Sequence, residues 1–428
     1  MPVAPNPTAR QDVFRVEERD GLWAMIDPEG QPFFSIGINC INPADKDDNA
    51  GPKYQGLSKH GGNLDRWQKA TLARLRDWRI NTIGAWSSLR GRPYVLEFSL
   101  SYSWCDVFGD VFEAYVENAA RTALKRPDVA ADFATLDRDP MLIGYFTDNE
   151  LIWGEGYGWQ GDEQCSLFEY YASLEPPAAG KKAWVAYLSD VYRNNWAEFS
   201  LTWNVTATTP DELTRVVKIE PRSRDRHAAA KSVADGFMRR VAERYFEVTS
   251  RVMHQNLPHH LNLGCRFTTG FPDVVADVAA RYVDVHSFNK YSRDLAAFRA
   301  EVVRLHAASR KPVLVTEFAF VARANRSGNT NKGYDRAVVA DDRERGQCYA
   351  RAAEMLADLP FVVGFHWFQY YDEPTGGRKD GENCNFGFVD VEDRVYEDLV
   401  NAAATANSRV LERHSAAWSM SRARPPIP

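Results

Sequence analysis

Two glutamates follow apolar runs that have the length and composition of buried strands. Glu150 ends the tripeptide Asp-Asn-Glu shortly after the run 141–146 (MLIGYF), and Glu317 directly follows the run 312–316 (PVLVT). A continuous apolar run, rather than an alternating one, is typical of a parallel strand that is covered on both faces. In α/β folds the chemistry takes place at the carboxyl ends of such strands. The two positions therefore predict a pair of carboxyl groups at one edge of a sheet.

Two carboxyl groups in different environments can hydrolyse a glycosidic bond. One stays protonated and donates its proton to the leaving oxygen, while the other is ionised and attacks the anomeric carbon. The alternative interpretation is that Glu150 and Glu317 only pair with arginines or cap helices. A metal-dependent hydrolase would need a cluster of His and Asp ligands at the strand ends, where only His366 is available. We therefore expect no metal and no organic cofactor.

The elements that must position these carboxyl groups alternate between strands and helices. Eight buried strands are predicted over residues 33–39, 81–86, 94–98, 141–146, 261–265, 283–288, 312–316 and 361–367. Helices are predicted over 66–79, 111–124, 233–252, 295–306 and 341–358. This alternation predicts the α/β class and a (β/α)8 TIM barrel. Two further strands, over 14–18 and 22–26, predict a short N-terminal β-meander.

The chain divides into a short tail and one predicted domain. Residues 1–10 are rich in proline and are expected to be disordered. Residues 11–428 are expected to form a single catalytic domain, because no internal repeat or shift in composition marks a second one. The connection 151–260, between the fourth and fifth strands, is too long for a simple crossover and therefore holds an insertion. We expect this aromatic-rich insertion to shape the cleft.

Composition narrows the classes of partner. The net charge is −6 and no run of Lys or Arg occurs, which argues against nucleic acid and anionic membranes. The 12 Trp residues suit a carbohydrate cleft as well as a core, because pyranose rings stack on indole faces. No stretch has the ~18 apolar residues of a membrane span, and the first residues do not resemble a signal peptide. A cytoplasmic protein is expected, or a secreted or periplasmic one if a leader was removed.

Two properties stay open at this stage. The six cysteines show no CxxC spacing, so free thiols are expected, while long-range disulfides stay possible in principle. The oligomeric state cannot be read from the sequence.

Polar and aromatic residues follow most of the other predicted strands, and in a barrel these strand ends meet around one cleft. Arg266 is expected to hold Glu317 ionised, or else to form an ordinary salt bridge, and Tyr291 is expected to hydrogen-bond the same carboxylate. His366 is expected to bond a sugar hydroxyl. The loop after the eighth strand either binds a sugar or forms a structural network. The candidate substrate-binding residues are Asn39, Trp86, Asn149, Arg266, Asn289, Tyr291, His366, Trp367, Gln369, Asp372, Arg378 and Glu382.

Four long segments carry a resemblance to a known family. They are GYFTDNELIWG (144–154), LGCRF (263–267), PVLVTEFAF (312–320) and GFHWFQYYDEPTGGRKDGENCNFGFVDV (364–391). Together with FFSIGIN (33–39) and NTIGAWS (81–87) they spread across the predicted barrel and cover most of it. The first and last segments are long and specific, whereas NTIGAWS alone is a weak signal. These segments resemble glycoside hydrolase family 50, the agarases, within clan A of the retaining glycoside hydrolases.

The resemblance implies a retaining β-glycosidase that acts on agarose-like, β-linked galactosides. It implies that Glu150 is the acid/base and Glu317 the nucleophile. It also implies that Asn149 hydrogen-bonds the 2-hydroxyl of the sugar and that Trp367 forms the floor of the subsite for the attacked sugar. A retaining mechanism further predicts carboxyl groups about 5–5.5 Å apart.

The sequence departs from the family pattern after the seventh strand. The family commonly has a His soon after the nucleophile, where this chain has Phe-Ala-Phe at 318–320. The loss of a polar contact there broadens the predicted substrate from agarose to β-galactosides and related β-glycosides.

Two other functions are consistent with the same residues. A related clan A glycosidase or transglycosylase acting on gluco- or manno-configured β-glycans would share the mechanism. A non-catalytic carbohydrate-binding barrel belongs to another class of protein, and such a barrel would be expected to have lost one of the two glutamates.

Overall fold

A computed structural model describes residues 12–43, 46–47, 51–52, 55–153, 166–193 and 195–422, so the predicted tail 1–10 lies outside it. The strands are β1 (Arg15–Arg19), β2 (Leu22–Ile26), β3 (Pro32–Phe33), β4 (Ser35–Ile38), β5 (Lys46–Asp47), β6 (Gly51–Pro52), β7 (Thr82–Ile83), β8 (Tyr94–Glu97), β9 (Leu142–Phe146), β10 (Leu261–Asn262), β11 (His286–Asn289), β12 (Val313–Phe318), β13 (Val321–Ala322), β14 (Val338–Val339) and β15 (Val362–Trp367). The α-helices are α1 (Gly56–Lys59), α2 (Leu64–Asp77), α3 (Asp110–Ala123), α4 (Phe133–Leu136), α5 (Leu167–Ser173), α6 (Ala179–Tyr192), α7 (Trp196–Thr202), α8 (Pro210–Leu213), α9 (His227–Asn256), α10 (Asp273–Ala279), α11 (Leu295–Ser309), α12 (Asp342–Ala357) and α13 (Glu397–Arg422). Two 3-10 helices span Arg224–Arg226 and Asp335–Ala337.

Eight parallel strands form one curled sheet in the order β10-β9-β8-β7-β4-β15-β12-β11. The two edge strands meet, because residues just after β10 pair with β11. Phe267 N–H donates to Ser287 O at 2.9 Å, and Asn289 N–H donates to Phe267 O at 2.7 Å. This order fits a TIM-like barrel, in which consecutive strands lie side by side. The predicted α/β class with eight parallel strands is confirmed.

Several barrel strands are shorter than predicted because the chain turns at their carboxyl ends. The predicted strand 81–86 is reduced to β7, and the predicted strand 261–265 is reduced to β10. Non-glycine residues with left-handed backbones follow five of the strands. They are Cys40 (φ 57°), Trp86 (φ 56°), Ser99 (φ 53°), Glu150 (φ 49°) and Arg266 (φ 48°). A residue in this region cannot continue a strand, so the chain leaves the sheet where the polar side chains stand.

The barrel interior is filled by apolar side chains from the strands and the meander. One buried cluster contains Phe14, Met25, Ala85, Val95, Ile143, Phe146, Leu261, Leu263, Val285, Leu314 and Val363. The antiparallel pair β1–β2 is the predicted meander. Phe14 lies directly before this pair, and Met25 lies within β2. Trp23 N–H donates to Pro360 O just before β15 begins, so the meander covers the amino ends of the strands. Burial of each large apolar side chain contributes about 1.5–3 kcal/mol. The carboxyl ends stay free for a site.

The predicted helices are present, and their apolar faces attach them to the sheet. In α2 the buried residues Trp67, Thr71 and Leu75 are spaced four apart, and the side chain of the N-cap Asn63 accepts the N–H of Arg66. The C-terminal α13 is not indicated by the sequence patterns. It packs against α12, and its buried Trp418 lies under the guanidinium of a meander arginine.

Helices α5 to α9 lie between β9 and β10, and aromatic side chains of this segment pack on one another. The ring of Phe168 is stacked on Trp203 with centroids 5.0 Å apart and also packs against Trp184 and Phe237. All four side chains are buried. These aromatic residues therefore form a local core rather than a lining for the cleft. The predicted helix 233–252 lies within α9.

The structure bears on two further questions, which are whether a helix could cross a membrane and whether cysteines pair. In the part of the chain that the structure describes, no helix is long and apolar enough to cross a membrane. Cys105, Cys265, Cys348 and Cys384, which lie in that part, are free thiols. Cys165 lies outside the described residues.

Gly144→Ala should lower the free energy of unfolding by about 1–3 kcal/mol. Gly144 lies in β9, and a Cβ atom there would stand 2.2 Å from the backbone O of Leu261 in β10, so the two strands would have to separate. Urea denaturation followed by circular dichroism measures the change. Gly109→Ala is the matched control, because the nearest atom to its Cβ would be Ala179 Cβ at 3.5 Å. Equal losses in the two variants would contradict the close approach of the strands.

Candidate active site

Glu150 and Glu317 both lie at the carboxyl ends of barrel strands. Glu150 follows β9 and is partly exposed, and its backbone N–H donates to Arg266 O at 3.1 Å. Glu317 lies within β12, which extends beyond its predicted end, and only 5% of its surface is exposed. As a residue Glu150 therefore keeps some contact with solvent, whereas Glu317 is almost closed off from it.

Asn289 connects the Glu150 carboxyl group to its neighbours. Its Nδ2 donates to Glu150 Oε1 at 2.9 Å and to Asn149 Oδ1 at 3.1 Å. Its Oδ1 accepts from Thr316 Oγ1 at 2.7 Å, which fixes the orientation of the amide. Asn289 ends β11, so these bonds join three strand ends. The amide holds Asn149 and Glu150 side by side.

Glu317 has two partners that favour its ionised form. Arg266 Nη2 lies 2.8 Å from Glu317 Oε1 and also donates to Thr316 O at 3.0 Å. Tyr291 OH donates to Glu317 Oε2 at 2.5 Å. Each carboxylate oxygen thus has its own donor, one of them a buried guanidinium. Hydrogen bonds to an ionised group are stronger than those between neutral groups, so this arrangement favours the carboxylate.

The two carboxyl groups differ in proton affinity. Burial and the negative charge of Glu317 raise the pKa of Glu150 to about 8, against the opposing effect of the Asn289 bond. Burial also raises the pKa of Glu317, but the charge of Arg266 and the Tyr291 hydroxyl oppose that rise. Two neighbouring carboxyl groups do not ionise together easily, so the proton stays on the one that lacks a direct cation. Within this pair Glu150 therefore holds the proton more readily, and Glu317, beside the Arg266 guanidinium, holds the negative charge more readily.

Aromatic rings hold Arg266 in place. Its guanidinium lies 4.4 Å from the centre of the Trp86 ring and 5.1 Å from that of Phe146. Such contacts contribute about 2 kcal/mol when the cation is desolvated. Trp86 Nε1 in turn donates to Glu97 Oε2 at 3.0 Å. Glu97 is a site residue that the sequence patterns do not single out, although a carboxylate near the end of the predicted strand 94–98 is a usable signal.

Three residues of the site have strained backbones. Trp86, Glu150 and Arg266 have φ values of 56°, 49° and 48°, in the left-handed region. Each such residue costs of order 1–3 kcal/mol and persists where its surroundings leave no alternative. The ring stacking and hydrogen bonds described above supply that constraint. Strain that converges on one edge of the barrel indicates a functional site.

Phe368, rather than Trp367, presents its ring beside the site. The Phe368 ring centre lies 6.4 Å from Trp86 and 6.3 Å from Tyr291, edge-on to each. Trp367 is fully buried, and its Nε1 donates to Phe386 O at 2.7 Å. Adjacent strand residues point to opposite faces. The prediction that Trp367 forms the floor of a sugar subsite is wrong, because a fully buried ring cannot stack on a sugar.

Asn39 and His366 are also fully closed off from solvent. Asn39 Nδ2 donates to Thr316 O at 2.9 Å and its Oδ1 accepts from Ala85 N at 3.1 Å, so both amide atoms join strands together. His366 Nε2 lies 2.8 Å from Ser35 Oγ, and burial lowers the pKa of His366 to about 3, which keeps the ring neutral. The predictions that these two side chains bind substrate are wrong for the same reason: neither is accessible.

Asp372 is a buried anchor of the loop after β15. Its carboxylate accepts from Ser327 Oγ at 2.7 Å, from Tyr396 OH at 2.6 Å and from Gly387 N at 2.8 Å. No part of the residue is exposed, so the prediction that Asp372 binds a sugar is wrong. This part of the loop is the structural network that the sequence left as the alternative.

Arg378 and Glu382 lie in the same loop but remain partly exposed. Arg378 Nη1 lies 2.9 Å from Glu382 Oε2, and Tyr334 OH donates to the other oxygen of Glu382. The Tyr334 ring packs edge-on against Tyr291, with centres 5.2 Å apart. The negative charge of Glu382 also helps to raise the pKa of both strand-end glutamates. This loop end is therefore close enough to influence the site.

Accessibility divides the predicted residues into two groups. Arg266 and Asn289 are buried and contact the glutamates. The residues that keep contact with solvent are Trp86, Asn149, Glu150, Tyr291, Gln369, Arg378 and Glu382. Over the described ranges, no group of three or more His, Cys, Asp or Glu side chains is arranged to hold a metal ion. The arrangement can hold a proton on Glu150 and a negative charge on Glu317 in one cleft.

Glu150→Gln should stabilise the protein at high pH and not at low pH. The pKa of Glu150 is raised to about 8, so the folded state favours the protonated carboxyl group. The stability associated with that proton is fully present below the ordinary carboxyl pKa and is lost as the pH rises towards 8. At pH 9 we expect a gain of more than about 1 kcal/mol in the free energy of unfolding, with little change at pH 4.

Denaturant titrations of wild type and variant at the two pH values measure this difference. Glu412→Gln, on the exposed side of α13, is the control and should change stability equally at both. A gain of the same size at pH 4 and pH 9 for Glu150→Gln would contradict the raised pKa.

The chain is similar in sequence to two agarases. It is 28% identical to beta-agarase B of Vibrio sp. (strain JT0107) over an alignment of 486 residues, which covers 93% of this chain and 48% of that protein. It is 28% identical to beta-agarase A of the same strain over 471 residues, which covers 91% of this chain and 45% of that protein. The chain therefore spans about half the length of these relatives. No protein-family model matches it.

The fold is similar to that of solved agarase structures. The crystal structure of an agarase matches with a TM-score of 0.78 and 24% identity, covering 94% of this chain and 66% of that chain. The structure of an exo-beta-agarase matches with a TM-score of 0.76 and 23% identity, again covering 94% of this chain and 66% of that one. At this level of identity the likeness establishes a shared fold, in agreement with the eight-stranded parallel sheet.

Proposed function

We propose that this protein is a β-agarase-type glycoside hydrolase that cleaves β-linked galactosides with retention of configuration. One observation carries the proposal. Glu150 and Glu317 are strand-end carboxyl groups in one site, where the pKa of Glu150 is raised to about 8 while the Arg266 guanidinium and the Tyr291 hydroxyl favour the carboxylate of Glu317. The similarity to beta-agarases A and B supports the substrate class.

In the first proposed step Glu317 is the nucleophile. Its carboxylate oxygen attacks the anomeric carbon while Glu150 donates its proton to the leaving oxygen, so the glycosidic C–O bond breaks and a covalent glycosyl-enzyme forms. Arg266 and Tyr291, at 2.8 Å and 2.5 Å from the Glu317 oxygens, favour the ionised nucleophile before attack. Charge leaves Glu317 and appears on Glu150 in the same step.

In the second proposed step Glu150 acts as a base. It takes a proton from water, whose oxygen attacks the same carbon and releases Glu317 as a carboxylate. Asn289, which donates to Glu150 Oε1, stabilises the carboxylate that exists between the two steps. Two inversions at one carbon give retention, and this mechanism expects the two carboxyl groups to lie about 5–5.5 Å apart.

The attacked sugar is proposed to lie between an amide and an aromatic wall. Asn149, which shares a donor with Glu150, would bond the 2-hydroxyl. The Phe368 ring packs edge-on to Trp86 and to Tyr291, and these three rings would contact the apolar face of the pyranose. Phe368 takes the place that the sequence assigned to Trp367.

Product analysis tests the substrate and the stereochemistry. The purified protein is incubated with agaro-oligosaccharides and with β-linked gluco- and manno-oligosaccharides, and 1H NMR identifies the anomer that is released first. We expect hydrolysis of the galactosides with the β-anomer released first. Release of the α-anomer first would contradict retention. Hydrolysis of the gluco- or manno-oligosaccharides alone would show that the substrate is one of these and not a β-linked galactoside. Binding without hydrolysis of any chain would favour a non-catalytic barrel.

Azide should distinguish the roles of the two glutamates. Glu317→Ala and Glu150→Ala should each lose activity by roughly 10³-fold or more, because each removes a group that acts in the transition state. With an activated aryl β-galactoside, azide should rescue Glu317→Ala as the α-galactosyl azide, since the anion occupies the space of the nucleophile. It should rescue Glu150→Ala as the β-galactosyl azide, because the covalent intermediate still forms.

The products are identified by NMR, with Glu412→Ala as a control that should keep full activity. Swapped stereochemistry would exchange the two roles. Near-normal activity of either variant on natural substrate would contradict the mechanism.

Tyr291→Phe should move the acidic limb of the pH–rate profile to higher pH by about one unit. The Tyr291 hydroxyl favours the ionised form of Glu317, so without it the pKa of Glu317 rises and a higher pH is needed to ionise the nucleophile. The alkaline limb, set by Glu150 with a pKa of about 8, should stay in place.

The measurement is kcat/KM as a function of pH. Tyr94→Phe is the matched control, because Tyr94 OH donates to Asp139 at 2.8 Å, away from the two glutamates, and should leave both limbs unchanged. An unmoved acidic limb in Tyr291→Phe would show that this hydroxyl does not control the ionisation of the nucleophile.

A further inference from the structure

We propose that Glu97 is a positioning residue for the hydrolysis and acts on Glu317 through Trp86 and Arg266. The inference rests on the proposed function and deepens it, because it assigns a role to another carboxyl group at the same edge of the barrel. Glu97 ends β8 and is fully buried, so it cannot touch a substrate. Its effect on the reaction is therefore indirect, through the Trp86 side chain that it contacts and through Arg266, with which its charge interacts.

Donors on several sides hold the Glu97 carboxylate. Ser99 donates its backbone N–H to Oε1 at 2.6 Å, and its hydroxyl lies 2.9 Å from Oε1 and 2.8 Å from Oε2. Arg126 Nη1 lies 3.5 Å from Oε2. These contacts fix the oxygen that accepts the indole N–H of Trp86 at 3.0 Å. Glu97 therefore sets the rotation of the Trp86 ring.

Arg266 depends on that ring because few polar contacts hold it. Its guanidinium carbon lies 4.4 Å from the centre of the Trp86 ring. Nε and Nη1 of Arg266 are buried and have no hydrogen-bond partner among the described residues. Among the described residues, the polar contacts of the guanidinium are made by Nη2, with Thr316 O at 3.0 Å and Glu317 Oε1 at 2.8 Å. The plane of the guanidinium is therefore set largely by stacking, and its contact with Glu317 follows the position of Trp86.

Removal of the Glu97 acceptor would weaken the contact of Trp86 with Arg266 and, through it, the contact of Arg266 with Glu317. An indole N–H without its partner would turn towards another acceptor, because an unpaired buried donor is costly. Arg266 would lose the face that supports it, and Nη2 would move away from Glu317. The ion pair weakens as the separation grows, so the pKa of Glu317 would rise. The other described ionisable groups that act on Glu317 would stay in place, and these are Tyr291, Glu150, Tyr334, Glu382 and Arg378.

Three variants separate positioning from packing. Glu97→Ala removes the acceptor and the charge, whereas Glu97→Gln removes the charge but keeps an acceptor for Trp86. Asp390→Ala removes a different buried carboxylate, which is paired with Arg326 at 3.1 Å and Arg394 at 2.8 Å. For each variant kcat and KM are measured against pH with an aryl β-galactoside. The Glu317 carboxyl group is titrated by 13C NMR, and its resonance is assigned by its absence in Glu317→Gln.

We expect Glu97→Ala to lower kcat by about 100-fold with little change in KM. Its acidic limb and the NMR pKa of Glu317 should both move to higher pH. Glu97→Gln should restore most of the activity and the position of the limb. Asp390→Ala should lower the Tm without moving either titration, which separates loss of stability from loss of positioning.

Unchanged titration of Glu317 in Glu97→Ala would overturn the proposal, as would a Glu97→Gln variant no better than Glu97→Ala. If Glu97→Ala does not fold, Trp86→Phe tests the same link, because it removes the indole donor and leaves Glu97 bonded to Ser99. An unmoved Glu317 titration there would equally overturn it. The NMR titration needs no substrate. Failure of the wild type to hydrolyse galactosides would refute the proposed function, while the titration still decides whether Glu97 acts on Glu317.

Discussion

The buried ion pair between Arg266 and Glu317 is the interaction on which the rest of the site depends. Both side chains are almost entirely shielded from solvent, and removing two charges from water costs several kcal/mol per ion before their attraction is counted. The 2.8 Å contact, the Tyr291 hydroxyl and the Trp86 ring together offset that cost. Glu150, whose described side-chain partner is an amide, keeps its proton instead. The ion pair thus makes the two carboxyl groups differ in proton affinity, with the proton favoured on Glu150 and the negative charge on Glu317.

The barrel separates the source of stability from the place of chemistry. At the amino ends of the strands, the N-terminal meander closes an apolar interior through Phe14 and Met25. At the carboxyl ends, the chain turns through left-handed residues such as Trp86, Glu150 and Arg266. Those turns cost stability, and the packed end of the barrel compensates for them. Side chains from distant parts of the sequence therefore meet on a rigid edge without disturbing the core.

The end of β15 shows that a local sequence pattern does not predict which of two neighbouring side chains faces the site. Trp367 and Phe368 are neighbours at the end of an apolar run, and only the direction of each side chain decides which one faces the site. The register between β12 and β15 shifts between Val315 and Phe318, so the facing residue cannot be counted from the start of the strand. The burial of Asn39 is also decided by the tertiary structure, because its amide hydrogen-bonds neighbouring parts of the barrel and is not available to a ligand.

The sequence by itself determined the α/β class, the eight strands and the strand-end positions of Glu150 and Glu317, because an apolar run that stops at polar residues is a local signal. It also placed Arg266 and Tyr291 at the same edge. Only the tertiary structure decided which side chains remain accessible, which carboxyl group keeps the proton, and that Glu97 supports Trp86. Burial and electrostatic interactions depend on residues that are far apart in the chain and become neighbours only when the sheet curls.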